Sequence, residues 1–515
     1  MEALATRDIT KTFGRVVANK GISFTVNEGE VVALLGENGA GKTTLMKIIY
    51  GLEKPDKGEI KIQGHLVNLK SPRQAIDLGI GMVHQHFMLV ANFTVAENLI
   101  LGMRQKTGIY LSKVKSNMAV KDFFRKYNFD LDPQARVGSL PVGLQQRVEI
   151  LKALFRGAKI LILDEPTAVL TPQETRELFT VIKQLQKENK AIIFISHKLD
   201  EVMTVSQRVI VLRQGEVVGA VNTKDTNEAQ LAQMMIGREL TRPQKKRQAV
   251  SLKQPMLAIK DLHVKTKGRD VCRKICLDVW GGEILGVAGV DGNGQKELIE
   301  AITGLIKPDG GQIFLAGQEI TGKSPRQIRV AGLAHIPEDR QARGLILSFN
   351  LAENMILVDH YKSPFSRNFL LQSAIINSHA DKLIKQYRIK ADGHKALASS
   401  LSGGNQQKVV VAREISGDPR ILIAVKPTRG LDVGAVEYIH NCLLEERAKG
   451  KAILLVSSEL EEIMSLSDRI AVMHDGRLTG LVWPDISEEE LGQMMAGVKE
   501  MFVALKPKEG ANLES

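Results

Sequence analysis

Two stretches of this chain have the residue types needed to handle phosphate. The first, "GENGAGKTT" from Gly36 to Thr44, follows the apolar run "VVALLG" and contains the pattern G-x-x-x-x-G-K-[ST]. Gly36, Gly39 and Gly41, with Glu37, Asn38 and Ala40 between them, let the backbone wrap an anion with N–H donors. A helix starting at the end of the loop adds positive potential. Lys42 is placed to reach the β- and γ-phosphates of a nucleotide, and the Thr43 hydroxyl, next to Thr44, to ligate Mg²⁺. The second stretch, "GVDGNGQKE" from Gly289 to Glu297, keeps the glycines but not the Lys-Thr pair.

Further candidates follow the first loop in order. "ILILDEPT" ends an apolar run in Asp164 and Glu165. Asp164 can hold Mg²⁺ through water, and Glu165 can polarise an attacking water. Paired acids at a strand end can also cap the next helix, but a phosphate loop upstream favours catalysis. His197, in "FISHK", ends another apolar run and fits a γ-phosphate sensor, although a lone histidine in such a place more often packs. Gln85, in "MVHQHF", fits a contact to metal and water. Phe13 precedes the loop by 36 − 13 = 23 residues and could stack on adenine, although an isolated Phe is usually core.

These groups need rigid strands to position them. "VVALLG", "KILILDEP" and "AIIFIS" read as buried parallel strands, separated by amphipathic stretches such as "PQETRELFTVIKQLQKE". Alternation of this kind predicts a mostly parallel α/β sheet. The stretch from about Thr94 to Arg156 reads as a helical insertion, with an equivalent from about Leu351 to Arg413.

The pattern occurs twice. "PDKGEI" at Pro55 returns as "PDGGQI" at Pro308, a shift of 308 − 55 = 253, and "SPRQ" at Ser71 returns at Ser324. "AEN" at Ala96 returns at Ala352, and "LPVGLQQ" at Leu140 is answered by "LSGGNQQ" at Leu401. An unchanged order of matches implies a tandem repeat of one domain. The expected organisation is a first domain over 1–240, a basic, polar linker over 241–255, a second domain over 256–505 and a polar tail over 506–515.

Bulk properties bound the function. At 515 residues, with 43% hydrophobic and 25% charged residues, the chain fits a multidomain globular protein. No apolar run is long enough to span a bilayer, and the N-terminus lacks a signal core, so a cytoplasmic chain that needs partners for any membrane role is expected. Cys272, Cys276 and Cys442 exclude a disulfide framework and read as packing residues. The net charge of +12 suits work beside nucleic acid or anionic lipid, but an aromatic content of only 4% argues against a base-stacking platform.

"LSGGNQQ" together with these features resembles the ATPase of ABC transporters, over almost the whole chain and twice. "GVDGNGQ", "IPEDR" and "PTRGLDVGA" resemble the tandem ATP-binding subunits of ribose- and galactose-type importers, and "GMVHQHFMLV…TVAENLILG" is closer to the branch associated with nucleoside uptake. The resemblance implies two tandem P-loop domains, each a RecA-like, mostly parallel sheet with an antiparallel β part and a helical subdomain. It also implies that two domains pack head to tail and trap ATP between the loop of one and the signature of the other. The signature residues would be Ser402, Gly403, Gly404 and Gln406, with Asp432 after the second "PT".

Mapped onto that scheme, Gln295 stands where Lys42 stands, Lys296 replaces Thr43, and Glu338 replaces Gln85. Val425 and Lys426 replace Asp164 and Glu165, Ser458 replaces His197, and Thr266 falls opposite Phe13. In the first copy's signature, Pro141 replaces a serine and has no N–H to donate, and Thr171 stands opposite Asp432. Head-to-tail pairing then sorts the changes into one intact site and one degenerate site. The function implied is that of an ATP-hydrolysing motor for nucleoside or simple-sugar import, using ATP and Mg²⁺. It would sit on the cytoplasmic face of the cell membrane with two integral-membrane permease subunits and, indirectly, an extracytoplasmic solute-binding protein, without nucleic acid. The alternatives are a soluble tandem ATPase acting on ribosomes or DNA, and a non-hydrolysing interaction protein.

Overall fold

The computed structural model describes residues 1–14, 16–84, 88–103, 120, 123–125, 131–167, 170, 172–237, 254–266 and 268–502. It divides into two compact units, Met1–Leu240 and Thr241–Ser515. Of the expected linker only 254–255 lies within the described residues, and the expected tail lies wholly outside them.

The first unit contains strands β1 (Glu2–Phe13), β2 (Val16–Asn27), β3 (Val31–Gly36), β4 (Lys57–Ile62), β5 (His65–Val67), β6 (Ile80–Val83), β7 (Ile160–Asp164), β8 (Ala191–Ser196), β9 (Arg208–Arg213) and β10 (Glu216–Asn222). One sheet has the order β10-β9-β3-β8-β7-β6 and is parallel except for β10. The other, β2-β1-β4-β5, is antiparallel, with Leu4 opposite both Val26 and Ile62. Every residue of β3, β7 and β8 is buried, as expected of parallel strands covered on both faces. Between the sheets pack Leu4, Val32, Leu34, Leu45, Ile162 and Ile193. The opposite face is closed by the helix Pro172–Lys187, whose Leu178, Ile182 and Leu185 meet Phe194 at helical spacing. Each such side chain stabilises the unit by about 1.5–3 kcal/mol.

The second unit repeats this plan with β11 (Leu257–Thr266), β12 (Arg269–Val279), β13 (Ile284–Ala288), β14 (Gly310–Leu315), β15 (Gln318–Glu319), β16 (Leu333–Ile336), β17 (Ser366–Arg367), β18 (Leu370–Leu371), β19 (Ile421–Val425), β20 (Ala452–Ser457), β21 (Arg469–His474), β22 (Arg477–Val482) and β23 (Met501–Phe502). Its sheets run β12-β11-β14-β15 and β16-β19-β20-β13-β21-β22-β23. Two features go beyond the sequence expectation. The short β23 adds a strand beside β22, and the helical insertion carries the two-stranded ribbon β17–β18.

The repeated "AEN" has a physical explanation. In the first unit Thr94 caps the helix Val95–Ile100, and Glu97 reaches back 2.9 Å to the Thr94 N–H. In the second, Asn350 and Glu353 make the same capping box on Leu351–Ile356. The asparagines tie the preceding loops to these helices. Asn98 accepts from the Val90 N–H at 2.8 Å, and Asn354 accepts from the Ile346 N–H at 2.9 Å.

Candidate functional site

The first loop leaves the end of β3, between β9 and β8, at the carboxyl edge of the parallel sheet, where open α/β sheets place their ligands. The helix Lys42–Ile49 follows at once. Gly41 caps it with φ 98°, and a Cβ there would strike the Ala18 carbonyl and the Asn19 amide. Only glycine fits that conformation and that approach of β2. Asn19, buried, donates to the Gly41 carbonyl at 3.1 Å and fixes the end of the loop. Lys42 is 6% exposed, and its ammonium donates to the carbonyls of Gly36 at 2.6 Å and Glu37 at 3.0 Å. The loop is thus held in a curled form around its own cation.

Asp164 ends β7, and Glu165 follows with φ 47°. That left-handed turn is held by the Glu165 N–H donating to the Ile195 carbonyl at 3.0 Å. Burial and the neighbouring Glu165 charge push the Asp164 carboxyl up to about 6, and Lys42 and Lys47 oppose the shift. Glu165 moves the other way. Its Oε1 lies 3.0 Å from His197 Nδ1, and this hydrogen bond holds its pKa below the ordinary value against the effect of burial. Two adjacent carboxyls are therefore driven apart, a pattern typical of sites with divided roles.

A residue absent from the sequence reading ties these loops together. Buried Glu201 accepts from Thr167 Oγ1 at 2.7 Å and from Ser196 Oγ at 3.0 Å, joining the turn after Glu165 to the strand end before His197. Phe13 lies at the tip of β1, 47% exposed, with Lys11 Nζ 5.2 Å from its ring centre. Gln85 and Thr171 lie outside the described residues.

In the second unit the loop backbone keeps its form. Gly292 and Gly294 have φ of 93° and 99°, against 84° and 98° at Gly39 and Gly41. Gln295 Nε2 donates to the Val290 carbonyl at 3.2 Å, the counterpart of the contact from Lys42 to Glu37. The neutral amide thus takes over the structural work of the lysine without its charge. Lys426 repeats the strained turn of Glu165, with φ 42° and its N–H on the Val456 carbonyl at 2.7 Å. Its side chain points to acids instead, at 2.6 Å from Asp291 Oδ1 and 3.0 Å from Glu338 Oε1. Arg429 also holds Glu338, at 2.5 Å. Lys296 is exposed.

The signature residues cap the helix Gly403–Ser416. Ser402 Oγ accepts from Asn405 Nδ2 at 2.9 Å, while Asp432 caps the helix Val433–Ala448 through the Ala435 N–H at 2.8 Å. Gly403 lies close against the Arg340 guanidinium, and Gly404 against Ala435. Gln406 is 3% exposed. Its amide donates to the Ala398 carbonyl at 3.0 Å and its oxygen accepts from Gln341 at 3.0 Å, so here it braces the helix and does not reach outward. In the first unit Pro141 caps the equivalent helix, Val142–Phe155. Glu174, at the repeat position that Ala435 holds in the second unit, packs its carboxylate against Gly143 at that helix start.

The fold and the first loop define a P-loop ATPase domain built twice over. The ABC transporter family matches residues 19–168 and 272–429, and the chain belongs to that family of ATPases. The nucleoside import ATP-binding protein NupA of Lactococcus lactis is 49% identical over 492 residues, covering 95% of this chain and 97% of that protein. The guanosine import ATP-binding protein NupO of Bacillus subtilis is 50% identical over 495 residues, covering 95% and 96%. Among solved structures, an archaeal ribosome recycling factor has a TM-score of 0.60 at 19% identity, covering 95% of this chain and 92% of that one, which is a likeness of fold alone. The import proteins, at about half identity over nearly the whole chain, leave the alternative of a soluble tandem ATPase acting on ribosomes or DNA not favoured.

Proposed function

We propose that this chain is the motor subunit of a nucleoside importer, with one hydrolytic site and one degenerate site. The observation that carries the division is the contrast at one turn. Glu165 meets His197 in the first unit, and Lys426 meets Asp291 and Glu338 in the second. A carboxylate kept ionised can take a proton from water, whereas an ammonium between two acids has no lone pair with which to accept one.

In the head-to-tail scheme that the resemblance implies, the competent site uses Gly36–Thr44, Gln85, Asp164, Glu165 and His197 with the signature residues Ser402, Gly403, Gly404 and Asp432, and with Phe13 against the adenine, while Gln406 supports the signature helix from within its own unit. Glu165 orients and deprotonates the attacking water, and His197 fixes the carboxylate and faces the γ-phosphate. The first unit's residues fit Mg²⁺. Asp164 is a carboxyl raised first by burial and then by the neighbouring Glu165 charge, a situation that a cation relieves, and Thr43 stands at the loop end to hold the same ion. Such an ion would neutralise phosphate charge. The degenerate site pairs the Gln295 loop with Pro141, where Glu174 places a carboxylate against the helix start and disfavours phosphate.

Nucleoside as cargo is supported by the two import proteins at about half identity over nearly the full chain. The implied assembly has two integral-membrane permease subunits and an external solute-binding protein, with this chain peripheral on the cytoplasmic face of the cell membrane. Among the described residues no helix is long and apolar enough to cross a membrane, and the +12 charge favours docking beside anionic lipid. Co-purification of the tagged chain from mild-detergent membrane extracts tests this, followed by uptake of labelled nucleoside and ribose. Two polytopic partners and nucleoside uptake are expected. Ribosomal or DNA-repair partners without a permease would overturn the transport reading, and uptake of ribose alone would overturn the cargo.

A further inference from the structure

The second unit's loop has the backbone of a phosphate site, yet the groups around it do not fit a divalent ion. The position of Asp164 is the apolar Val425, and that of the Thr43 hydroxyl is Lys296. Two carboxylates nearby, Asp291 in the loop and Glu338 just after β16, are both engaged by Lys426, which is itself only 12% exposed. Arg429 adds a second cation to Glu338. An ammonium is a compact point charge that can share several oxygens, and here it bridges acids drawn from two separate segments.

We propose that Lys426 is a built-in counter-ion, and that the second unit's loop consequently takes no divalent metal. The charge a metal would bring to the loop is supplied by a side chain on the very turn that carries the catalytic carboxylate in the first unit. The substitutions are mutually consistent. Where the first unit has the neutral Asn38 and Gln85, this unit has the acids Asp291 and Glu338, and Lys426 with Arg429 balances the charge they add. Any nucleotide phosphate held by this loop then meets Lys426 and Arg429 in place of a metal. This rests on the reading of the first unit as the metal-dependent one.

Mn²⁺ bound to the full-length chain, counted by electron paramagnetic resonance in the presence of a non-hydrolysable ATP analogue, tests it. Wild type is expected to hold one Mn²⁺ per chain, and Asp164→Asn to lose it. Lys426→Glu, which leaves three carboxylates where the ammonium stood, is expected to gain a second ion. Lys426→Ala, a milder change that unpairs Asp291 and Glu338, is expected to gain weaker Mn²⁺ binding and keeps the test open if the charge reversal misfolds. Two ions on wild type, or one ion that survives Asp164→Asn, would overturn the proposal. So would two well-folded Lys426 variants that gain no ion. A wild type that binds no Mn²⁺ at all would count against the first unit's assignment, and the Lys426 variants would still decide this one.

Discussion

His197 Nδ1 lies 3.0 Å from Glu165 Oε1, and this contact is the largest influence on the Glu165 carboxyl, holding it ionised inside a half-buried turn. Without the imidazole, burial raises that carboxyl. The acidic limb of the ATPase pH profile of His197→Ala should therefore move to higher pH. Turnover should fall by about 10²-fold or more, the usual loss when a proton acceptor is displaced, while ATP affinity changes little. A pH–rate profile checks both, and an unmoved acidic limb would deny the coupling.

Gly41→Ala places a Cβ against the Ala18 carbonyl at φ 98°. Relief of that clash must distort the loop, at a cost of about 1–3 kcal/mol for the forced conformation. ATP affinity should drop about tenfold or more, read by equilibrium dialysis, with the second unit's fold intact by proteolysis.

Glu201 bridges Thr167 and Ser196 out of contact with solvent. Glu201→Ala leaves both hydroxyls buried without their acceptor, which costs about 1–3 kcal/mol, and loosens the two loops that carry Glu165 and His197. A lower Tm and a lower kcat are expected together, with Glu201→Gln restoring part of both.

His335 in β16 is partly buried, and desolvation pushes its imidazole down to about 4. An unfolded chain takes up that proton near pH 6.5. Between about pH 6.5 and 4 the unfolded state binds more protons, so stability falls as pH falls. The second unit should lose about 2 kcal/mol between pH 7 and 5, and His335→Leu should flatten that slope in urea titrations.

Much of this was legible in the sequence because it is local. The Gly36–Thr44 loop, the acid pair after "ILIL" and the strands that present them are encoded within a few residues. The tandem repeat is legible because it is the same code written twice, and "AEN" recurs because a capping box has fixed spacing. What escaped the sequence reading is made by distant residues. Lys426 meets Asp291 and Glu338 across separations of 135 and 88 residues. No spacing rule announces such an ion pair, so Lys426 read only as a lost base. Glu201 is a first-turn acid of the helix Leu199–Val205 with no motif around it, and only the packed structure brings it to Thr167 and Ser196. Gln406 belongs to the signature that the resemblance sets against ATP, yet its amide is taken up inside the unit by Ala398 and Gln341.

The central claim is that Glu165 alone drives the hydrolysis that powers import. Its most direct test is ATP-dependent nucleoside uptake in cells whose own copy is replaced by wild type, Glu165→Gln or Lys426→Ala, with ATPase turnover measured on the same purified proteins. The account predicts that Glu165→Gln binds ATP but neither hydrolyses it nor restores uptake, whereas Lys426→Ala keeps most of both. Wild-type hydrolysis by Glu165→Gln, or loss of hydrolysis in a folded Lys426→Ala, would contradict it.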